Sequence, residues 1–352
     1  MAQASIKVGI IGAGNNTRVR HIPGLQAIDG VEIVSVCNRS RESSQRVADQ
    51  FHIPKVYEDW RELMAAGDTN AIVIGTWPYM HAELSCAALA AGKHVMCEAR
   101  MAMNAAEAHT MLNKSRQHAN LVAQIVPSPF TLRVDQTIKD LIAEGYLGEL
   151  YSLVVRGVAP EFANPDAPIH WRQQKRLSGY NILNMGIWYE ATMRWVGQAT
   201  RVFAQTRVAV KQRRDPDTGA MIEVDVPDHV DITTELPGGG QGTYNFSAVS
   251  GLGPAPGAWL FGSKGTLHFD QPSNKLFGGK AGQKELQEIA IPPEKAGKWR
   301  VEEEFVNAMR GLEKITHTNF EDGVKYMEFT EAVHRSAESG RAVALPLVEF
   351  HA

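Results

Sequence analysis

Runs of β-branched and other apolar residues, each of strand length, alternate with amphipathic stretches over the first third of the chain. Apolar positions that recur every three or four residues indicate helices, and the short apolar runs between them indicate buried strands. This alternation predicts a doubly wound α/β domain, with a parallel sheet and helices on both faces. The predicted strands cover residues 6–11, 31–37, 71–75, 94–97 and 121–126, and the predicted helices cover residues 18–27, 40–51, 81–91 and 104–118.

The pattern changes after the segment Pro127-Ser128-Pro129, which we interpret as a domain boundary. We therefore expect a first domain at 1–126 and a second at 127–352. Strands joined by turns, with helices on one side, predict that the second is an α+β domain on a large, mainly antiparallel open sheet. Its predicted strands cover residues 150–158, 201–210, 230–236, 242–248, 258–261 and 266–270, and its predicted helices cover residues 131–143, 182–195, 298–311 and 320–340.

The composition is that of a globular protein, since 44% of the 352 residues are hydrophobic and 21% are charged. The net charge of −3 gives no reason to expect a nucleic acid or an anionic membrane as partner. No apolar stretch approaches the ~20 residues that span a bilayer, and no secretory signal is visible before the first predicted strand. The three cysteines (Cys37, Cys86 and Cys97) are sparse and lack metal-ligand spacing, which suits a reducing compartment. We expect a cytoplasmic protein.

A glycine-rich turn follows the first predicted strand, in the order Gly12-Ala13-Gly14-Asn15-Asn16-Thr17. In a dinucleotide site the first glycine permits the tight turn, and the second lets the backbone approach the pyrophosphate. The free N–H groups at the start of the following helix then face the phosphates. Thr17 stands where the third glycine is usual, so the motif is incomplete. We predict that the cofactor contacts Gly12, Gly14, Asn15, Asn16 and Thr17.

The tip of the second predicted strand reads Cys37-Asn38-Arg39-Ser40-Arg41 and contains no acidic residue. A carboxylate at this tip would bind the ribose 2′-hydroxyl of NAD and repel the 2′-phosphate of NADP. Asn38 can bind either form, whereas Arg39 or Arg41 can pair with a phosphate and stack on the adenine. We therefore favour NADP over NAD. In the alternative interpretation both arginines are solvated and Asn38 alone binds the NAD ribose.

Four segments carry a family resemblance. They are VGIIGAGNNTRVRHIPGL (8–25), TWPYMHAELSCAALAAGKHVMCE (76–98), IAEGYLGEL (142–150) and FEDGVKYMEFTEAVHRSAESGRAVALP (320–346). In their order and spacing the chain resembles the glucose-fructose oxidoreductase/inositol dehydrogenase/MocA-like oxidoreductases from end to end. The resemblance implies a Rossmann domain that binds NAD(H) or NADP(H). It also implies a second domain whose open sheet often serves as an oligomer interface, and substrates that are sugars, polyols or related cyclic alcohols.

The resemblance also suggests residues around the cofactor. His21 and His81 match positions where the family commonly has histidine, and we expect both to orient loops rather than react. Thr76 and Trp77 fall at the carboxyl end of the third predicted strand, where open α/β sheets bind ligands. We assign Thr76, Trp77, His81 and Glu98 to the cofactor site.

The chain departs from the family where the chemistry is expected. Most members follow the glutamate of the fourth strand with Lys-Pro, but Glu98 is followed here by Ala99 and Arg100. The family also usually places an Asp and a His one turn apart on a later helix, where this chain has Asn184 and Trp188. The three usual acid/base groups are therefore absent, and their roles are not carried over.

A different proton donor is then needed for hydride transfer, because a positioned acid or base speeds the accompanying proton transfer by roughly 10²–10⁴. Tyr180 is our first candidate and His170 the second, with Arg172 or Arg100 as the cation that assists. In the alternative interpretation Tyr180 caps a helix and His170 is a surface loop residue. The neighbouring Glu190 is expected to form a structural ion pair.

The aromatic residues Trp171 and Trp188, together with Tyr180, suggest a lining for a ring-shaped substrate, and Asn184 lies beside them in the sequence. We predict an oxidoreductase that acts on a cyclic hydroxylated or keto compound of the sugar, polyol or dihydrodiol type. Two alternatives stay open: lyase or glycosidase chemistry with an internally recycled cofactor, and a nucleotide-binding regulator without catalysis. We expect a homodimer or homotetramer, because the open sheet needs a cover. We predict no metal site, since His229 and Asp231 alternate on one strand without a third ligand.

Overall fold

The structure is a computed structural model that describes residues 5–351. The chain divides into two units at Pro127. The first unit contains the described residues up to Pro127 together with Arg300–Val324, and the second contains Ser128–Trp299 and the described residues from Lys325 onward. The expectation of two contiguous domains was wrong for residues 300–324. This segment belongs to the first unit because Asn319 forms a β-bridge with Gln124, whose amide also donates to Glu304 at 3.1 Å.

The first unit contains a six-stranded sheet in the order β3-β2-β1-β4-β5-β6, and all its strand pairs are parallel. Residues of the central strands are buried because helices cover both sides, which confirms the predicted Rossmann class. The strands are β1 (Ile6–Ile11), β2 (Val31–Cys37), β3 (Lys55–Val56), β4 (Ala71–Ile74), β5 (His94–Cys97) and β6 (Ala123–Ile125).

The helices of this unit begin at polar caps where the sequence provides them. The Ser40 hydroxyl accepts from the Ser43 amide at 3.2 Å, and the Asn104 side chain accepts from the Glu107 amide at 2.9 Å. Such caps satisfy amides that the helix itself leaves without a partner. The helices are α1 (Ile22–Gln26), α2 (Arg41–Phe51), α3 (Trp60–Ala65), α4 (His81–Ala90), α5 (Ala105–Gln117) and α9 (Val301–Met309).

The first predicted helix differs from the observed one. Residues Thr17–His21 form a π-helical turn, and the α-helical segment α1 follows it. A π turn holds one residue more than an α turn and is frequent at functional sites. The His21 ring, at the end of this turn, is fully buried.

The second unit is built on a nine-stranded sheet in the order β16-β15-β14-β13-β7-β12-β11-β8-β17. Its pairs are antiparallel except for β7 with β12, which confirms the predicted large, mainly antiparallel sheet. A hairpin of β9 and β10 lies apart from it. The strands are β7 (Leu150–Val158), β8 (Arg201–Arg207), β9 (Gln212–Arg214), β10 (Met221–Glu223), β11 (His229–Glu235), β12 (Gln241–Ser247), β13 (Gly257–Gly262), β14 (Gly265–Asp270), β15 (Lys275–Lys280), β16 (Gln287–Ile289) and β17 (Val343–Ala344).

One face of this sheet is buried and the other is exposed. On β11, exposed or half-buried residues alternate with buried ones, as a sheet covered on one side requires. The Tyr189 ring stacks on Phe329 at 3.6 Å and meets Tyr244 of β12 at 6.2 Å, so helices lie on the buried face. The helices that begin in this unit are α6 (Leu132–Ala143), α7 (Lys175–Ser178) and α8 (Met185–Val196), while α10 (Phe320–Ser339) runs into it from the first unit.

The expectation that the helix predicted at 298–311 belongs to the second domain needs correction. That helix, α9, belongs to the first unit. Within residues 5–351, no helix combines the length and the apolar character needed to cross a membrane.

Candidate active site

The glycine-rich turn has the backbone geometry that a dinucleotide requires. Gly12 has φ +81°, and a Cβ atom there would lie 2.7 Å from the amide nitrogen of Thr76, so a side chain is excluded. The Arg18 amide donates to the Gly14 carbonyl at 3.0 Å, which begins the helical ladder. The amides of Asn15, Asn16 and Thr17 precede that ladder and lie at the helix start, where phosphates bind.

The incomplete glycine motif is compensated on the neighbouring strand. Thr17 occupies the place of the third glycine, and its side chain is buried beside Gly75, the residue after β4. A Cβ atom on Gly75 would collide with the Thr17 hydroxyl oxygen and with the Gly12 carbonyl oxygen. The motif thus has threonine at position 17, where a third glycine is usual, and the space for its side chain is left by Gly75 at the strand end.

The edge at the carboxyl ends of β1 and β4 also carries an unsatisfied group. The buried hydroxyl oxygen of Thr76 has no hydrogen-bond partner among the described residues. Ligands of open α/β sheets bind at this edge, near the point where the strand order reverses. The positive-φ turn, the helix start and the unsatisfied hydroxyl together fit a nicotinamide dinucleotide, which would supply or accept the hydride.

The residues at the tip of β2 differ in their contacts. The Asn38 side chain accepts from the Ala13 amide at 2.7 Å and donates to the Ser43 carbonyl and hydroxyl oxygens, both at 3.1 Å. It therefore braces the glycine-rich turn against α2. Arg39 and Arg41 are exposed, and the Arg41 guanidinium forms an ion pair with Glu58.

His21 lies between two carboxylates. Its Nε2 atom is 2.9 Å from Oε1 of Glu98, and its Nδ1 atom is 2.5 Å from Oε1 of Glu302. The Asn16 amide donates to the same oxygen of Glu98 at 2.5 Å, and the other Glu98 oxygen accepts from the Ala99 amide at 3.3 Å. Burial lowers the pKa of His21, but the two carboxylates outweigh it and raise the value to about 9.

His81 is also fully buried, and its two ring nitrogens face main-chain carbonyls. Nε2 is 3.0 Å from the Thr76 oxygen, and Nδ1 is 2.8 Å from the Arg100 oxygen. Burial lowers the pKa of His81, while the carbonyl contacts and Glu98 act in the opposite direction. His81 therefore ties together the segments that follow β4 and β5. Arg100 itself is 2% exposed, and Trp77 is half-buried.

The two later departures from the family pattern lie in different surroundings. Asn184 is exposed at the start of α8, and its side chain forms no capping hydrogen bond there. Trp188 is only 1% exposed, and its ring packs against Phe130 at 5.1 Å and Phe269 at 6.4 Å. Trp188 is therefore part of the core, which does not support the expectation that it lines a substrate pocket.

His170 caps a short 3₁₀ turn, Trp171–Gln173. Its Nδ1 atom accepts from the Arg172 amide at 3.3 Å, and the Gln173 side chain accepts from the His170 amide at 3.0 Å. Burial, with a smaller contribution from the Arg172 charge, lowers the pKa of His170. A neutral ring with Nδ1 as acceptor is the state that this cap requires. The Arg172 guanidinium lies 4.6 Å from the Trp171 ring centroid.

Tyr180 follows α7 and is half-buried. The His334 ring of α10 stacks on it at 3.9 Å, and the Lys175 ammonium lies 4.7 Å from the centre of its ring. The Arg172 guanidinium, which we expected beside Tyr180, lies over the Trp171 ring instead. Within this unit, the cation over the Tyr180 ring is the Lys175 ammonium. Sequence reasoning missed Lys175, although it is only five positions before Tyr180, and it had no signal for His334.

Two further expectations concern side chains outside this cluster. Glu190 forms an ion pair with Arg194 at 2.9 Å and accepts from the Ser128 amide at 2.8 Å, as a structural residue does. His229 and Asp231 contact each other at 2.9 Å on the exposed sheet face.

Comparison with known proteins agrees with this geometry. Residues 6–125 match the model of the "Oxidoreductase family, NAD-binding Rossmann fold", and residues 136–268 match the "GFO/IDH/MocA C-terminal domain". The chain belongs to the Gfo/Idh/MocA family, and it is an NAD-binding oxidoreductase of that family.

Individual relatives are distant but cover most of the chain. An uncharacterised oxidoreductase of Synechocystis sp. is 26% identical over 82% of this chain and 79% of its own. Trans-1,2-dihydrobenzene-1,2-diol dehydrogenase of Mus musculus is 25% identical over 89% and 85%. The solved structure of levoglucosan dehydrogenase with NADH and L-sorbose has a TM-score of 0.86 at 21% identity, over 98% of this chain and 100% of that one. This last likeness shows the fold.

Proposed function

We propose that the protein transfers a hydride between NADP(H) and a cyclic hydroxylated or keto compound, with Tyr180 as the proton donor. The observation that carries this proposal is the surroundings of Tyr180. A half-buried phenol stacks on His334 and has an ammonium over its ring, while positions 99, 184 and 188 hold Ala, Asn and a buried Trp. A positioned phenol beside a cation can give its proton to the carbonyl oxygen while the carbonyl carbon accepts the hydride from the reduced cofactor.

The proposed substrate class rests on aromatic surfaces and on the relatives. Trp171 is half-buried, with the Arg172 guanidinium near its ring, so the pair offers one apolar and one charged surface. Matched relatives are named for a dihydrobenzenediol and for inositol, and a similar fold is named for levoglucosan. All three names describe cyclic hydroxylated compounds, which supports a substrate of the sugar, polyol or dihydrodiol type.

The preference for NADP(H) is part of the proposal. The tip of β2 carries Arg39 and Arg41, both exposed, and no carboxylate of its own, while Glu58 is paired with Arg41. Asn38 is engaged with Ala13 and Ser43, and the two exposed arginines supply cations at that end of the cofactor, with Arg41 exchanging Glu58 for the phosphate. NAD(H) is the alternative cofactor.

We further propose a cytoplasmic homodimer or homotetramer. The exposed face of the nine-stranded sheet carries a row of aromatic side chains, in which Trp259 stacks on His268 at 4.2 Å and His268 lies 5.9 Å from Phe277. Phe203 and Phe261 are exposed on the same face. The rings of Trp259, His268 and Phe277 lie on the adjacent strands β13, β14 and β15, and an aromatic surface of this kind favours contact with a second copy of the chain.

A screen of purified protein tests the central proposal. NADP⁺ and NAD⁺ are each mixed with panels of sugars, polyols and dihydrodiols, and the nicotinamide absorbance band is followed. Gly14→Val, which obstructs the approach to the pyrophosphate, serves as the negative control, and Gly67→Val, at an open position, is its matched control. Turnover with one panel that Gly14→Val abolishes supports the oxidoreductase.

One observation favours a second candidate. The usual acid/base positions contain no titratable side chain, as expected for a protein that keeps the cofactor but has lost catalysis. Tight cofactor binding without turnover across all panels would support that regulator and contradict the enzyme.

A further inference from the structure

The segment 300–324 contributes a charged side chain to the interior of the first unit. Glu302 lies in the first turn of α9, 281 positions after His21, yet the two side chains are in contact at 2.5 Å. Glu302 is 5% exposed and His21 is 0% exposed, so water screens this pair little. Removing one partner of such a buried pair leaves an uncompensated charge.

The same imidazole reaches the glycine-rich turn and the end of β5. Glu98 follows β5 directly, and its Oε1 atom is shared by His21 and by Asn16 at the helix start. Its Oε2 atom contacts the amide of Ala99, the position where the family usually has lysine. His21 is therefore the link among three segments: the glycine-rich turn, the segment after β5, and α9.

Both ring nitrogens of His21 face carboxylate oxygens, and Nε2 also lies 3.3 Å from the Asn16 amide nitrogen. The raised pKa corresponds to a ring whose two nitrogens both donate to the carboxylates. Only the charged imidazolium can do this, because a neutral imidazole has one donor and one acceptor nitrogen. The charged groups that act on the ring are Glu98 and Glu302. The two carboxylates together carry a charge of about −2, and the imidazolium reduces the net charge of the three side chains to about −1. Loss of the imidazolium proton adds one negative charge at the edge where an anionic pyrophosphate binds.

We infer that His21 is a positioning residue of the cofactor site, whose imidazolium holds Glu98 against Glu302 and offsets the carboxylate charge that opposes binding of the dinucleotide. This inference rests on the proposed function only in that a nicotinamide dinucleotide binds at the glycine-rich turn. It does not depend on Tyr180, on the substrate or on turnover.

The test is the dissociation constant of the reduced cofactor as a function of pH, followed by nicotinamide fluorescence without any substrate. For the natural protein the constant is expected to stay level between about pH 7 and 8, and then to rise by about tenfold by about pH 10. The rise begins near the pKa of His21, which is about 9. His21→Gln, which is neutral throughout, is expected to bind weakly with no pH dependence over this range.

Two neighbouring glutamates give a matched pair of variants. In Glu302→Gln the imidazolium loses one carboxylate, so the rise in the dissociation constant should begin at least about one pH unit earlier. Glu303→Gln, in the same first turn, affects an ion pair with Arg300 on the surface and should follow the natural protein. Circular dichroism establishes that each variant is folded. If Glu302→Gln fails to fold, the pH dependence of the dissociation constant of the natural protein alone tests the inference.

A level profile for the natural protein, or identical profiles for the Glu302→Gln and Glu303→Gln variants, would overturn the inference while leaving the proposed oxidoreductase intact. Absence of NADPH and NADH binding at every pH would overturn both.

Discussion

Gly75 and Thr17 are complementary: the strand end has no side chain where the helix has one. A Cβ atom on Gly75 would collide with the Thr17 hydroxyl oxygen and with the main-chain oxygen of Gly12. The second contact is with backbone, so a rotamer change at Thr17 alone cannot relieve it. This pairing explains how the glycine-rich turn tolerates a threonine at its third position.

Gly75→Ala should therefore destabilise the first unit. Overpacking of this kind costs about 1–3 kcal/mol, and the contact with backbone places the expected loss toward the upper end. Urea denaturation measures the free energy of unfolding. Gly67→Ala is the matched control, because a Cβ atom there meets nothing within 4 Å, and it should change that free energy by less than about 0.5 kcal/mol. Equal stability of the two variants would contradict the structural role of Gly75.

Cofactor choice should depend on the arginines at the tip of β2. Arg39→Ala and Arg41→Ala are each expected to weaken NADPH binding by about tenfold, the effect of losing a charge-assisted contact with a phosphate, and to leave NADH binding unchanged. Calorimetric titration with both cofactors gives the ratio. Arg46→Ala is the control, since Arg46 lies on the same helix and pairs with Glu42 on the surface. Tighter binding of NADH than of NADPH by the natural protein would refute the preference.

Stability should fall at alkaline pH because of His21. Its pKa is raised from 6.5 to about 9 in the folded state, so the folded protein retains a proton that the unfolded chain releases. The resulting stabilisation is fully present below about pH 6.5 and is lost as the pH rises through about 9. Its size is about 3 kcal/mol, from 1.36 kcal/mol per pKa unit.

Denaturation at about pH 6 and about pH 10 checks this dependence. The difference in unfolding free energy between the natural protein and His21→Gln should be larger at the lower pH. A difference that is the same at both values would show that the imidazolium does not contribute.

Association should depend on the exposed sheet face. Phe261 is 39% exposed on the outer face, and Phe261→Asp is expected to reduce a dimeric or tetrameric mass in light scattering. Tyr151 is 56% exposed, and its register places it on the opposite face, so Tyr151→Asp should leave the mass unchanged. A monomeric mass for the natural protein at micromolar concentration would contradict the proposed homodimer or homotetramer.

The sequence predicted the elements whose apolar pattern is strong and local. Strands β5 and β7 begin and end at the predicted residues, and Ser40 and Asn104 cap α2 and α5. Short polar elements were missed: α3, β3 and the hairpin of β9 with β10 are too brief or too polar to show a period. The π turn at Thr17–His21 was missed because its pattern is that of an ordinary helix.

The site was predictable only where one motif contains it. The glycine-rich turn and the tip of β2 could be recognised from adjacent residues. The pairs His21 with Glu302 and Tyr180 with His334 join distant parts of the chain, so no local spacing reveals them. Trp188 was assigned to the substrate as part of an aromatic lining with Trp171 and Tyr180. Its burial against Phe130 and Phe269 follows from tertiary packing, which the sequence around Trp188 does not reveal.

The proton donor distinguishes this account from that of an ordinary member of the family. Tyr180→Phe keeps the ring that stacks on His334 and removes only the hydroxyl. Tyr151→Phe is the matched control, because Tyr151 is an exposed tyrosine of β7. Ala99→Lys added to Tyr180→Phe should not restore turnover, since Asn184 and Trp188 remain in place.

The most direct measurement is the turnover number of Tyr180→Phe with the substrate that the screen identifies. We expect a decrease of at least ~10²-fold, the usual effect of losing a general acid, with an unchanged cofactor dissociation constant and normal turnover in Tyr151→Phe. Near-normal turnover of Tyr180→Phe would contradict the account and would leave a proton from water or from the substrate as the explanation.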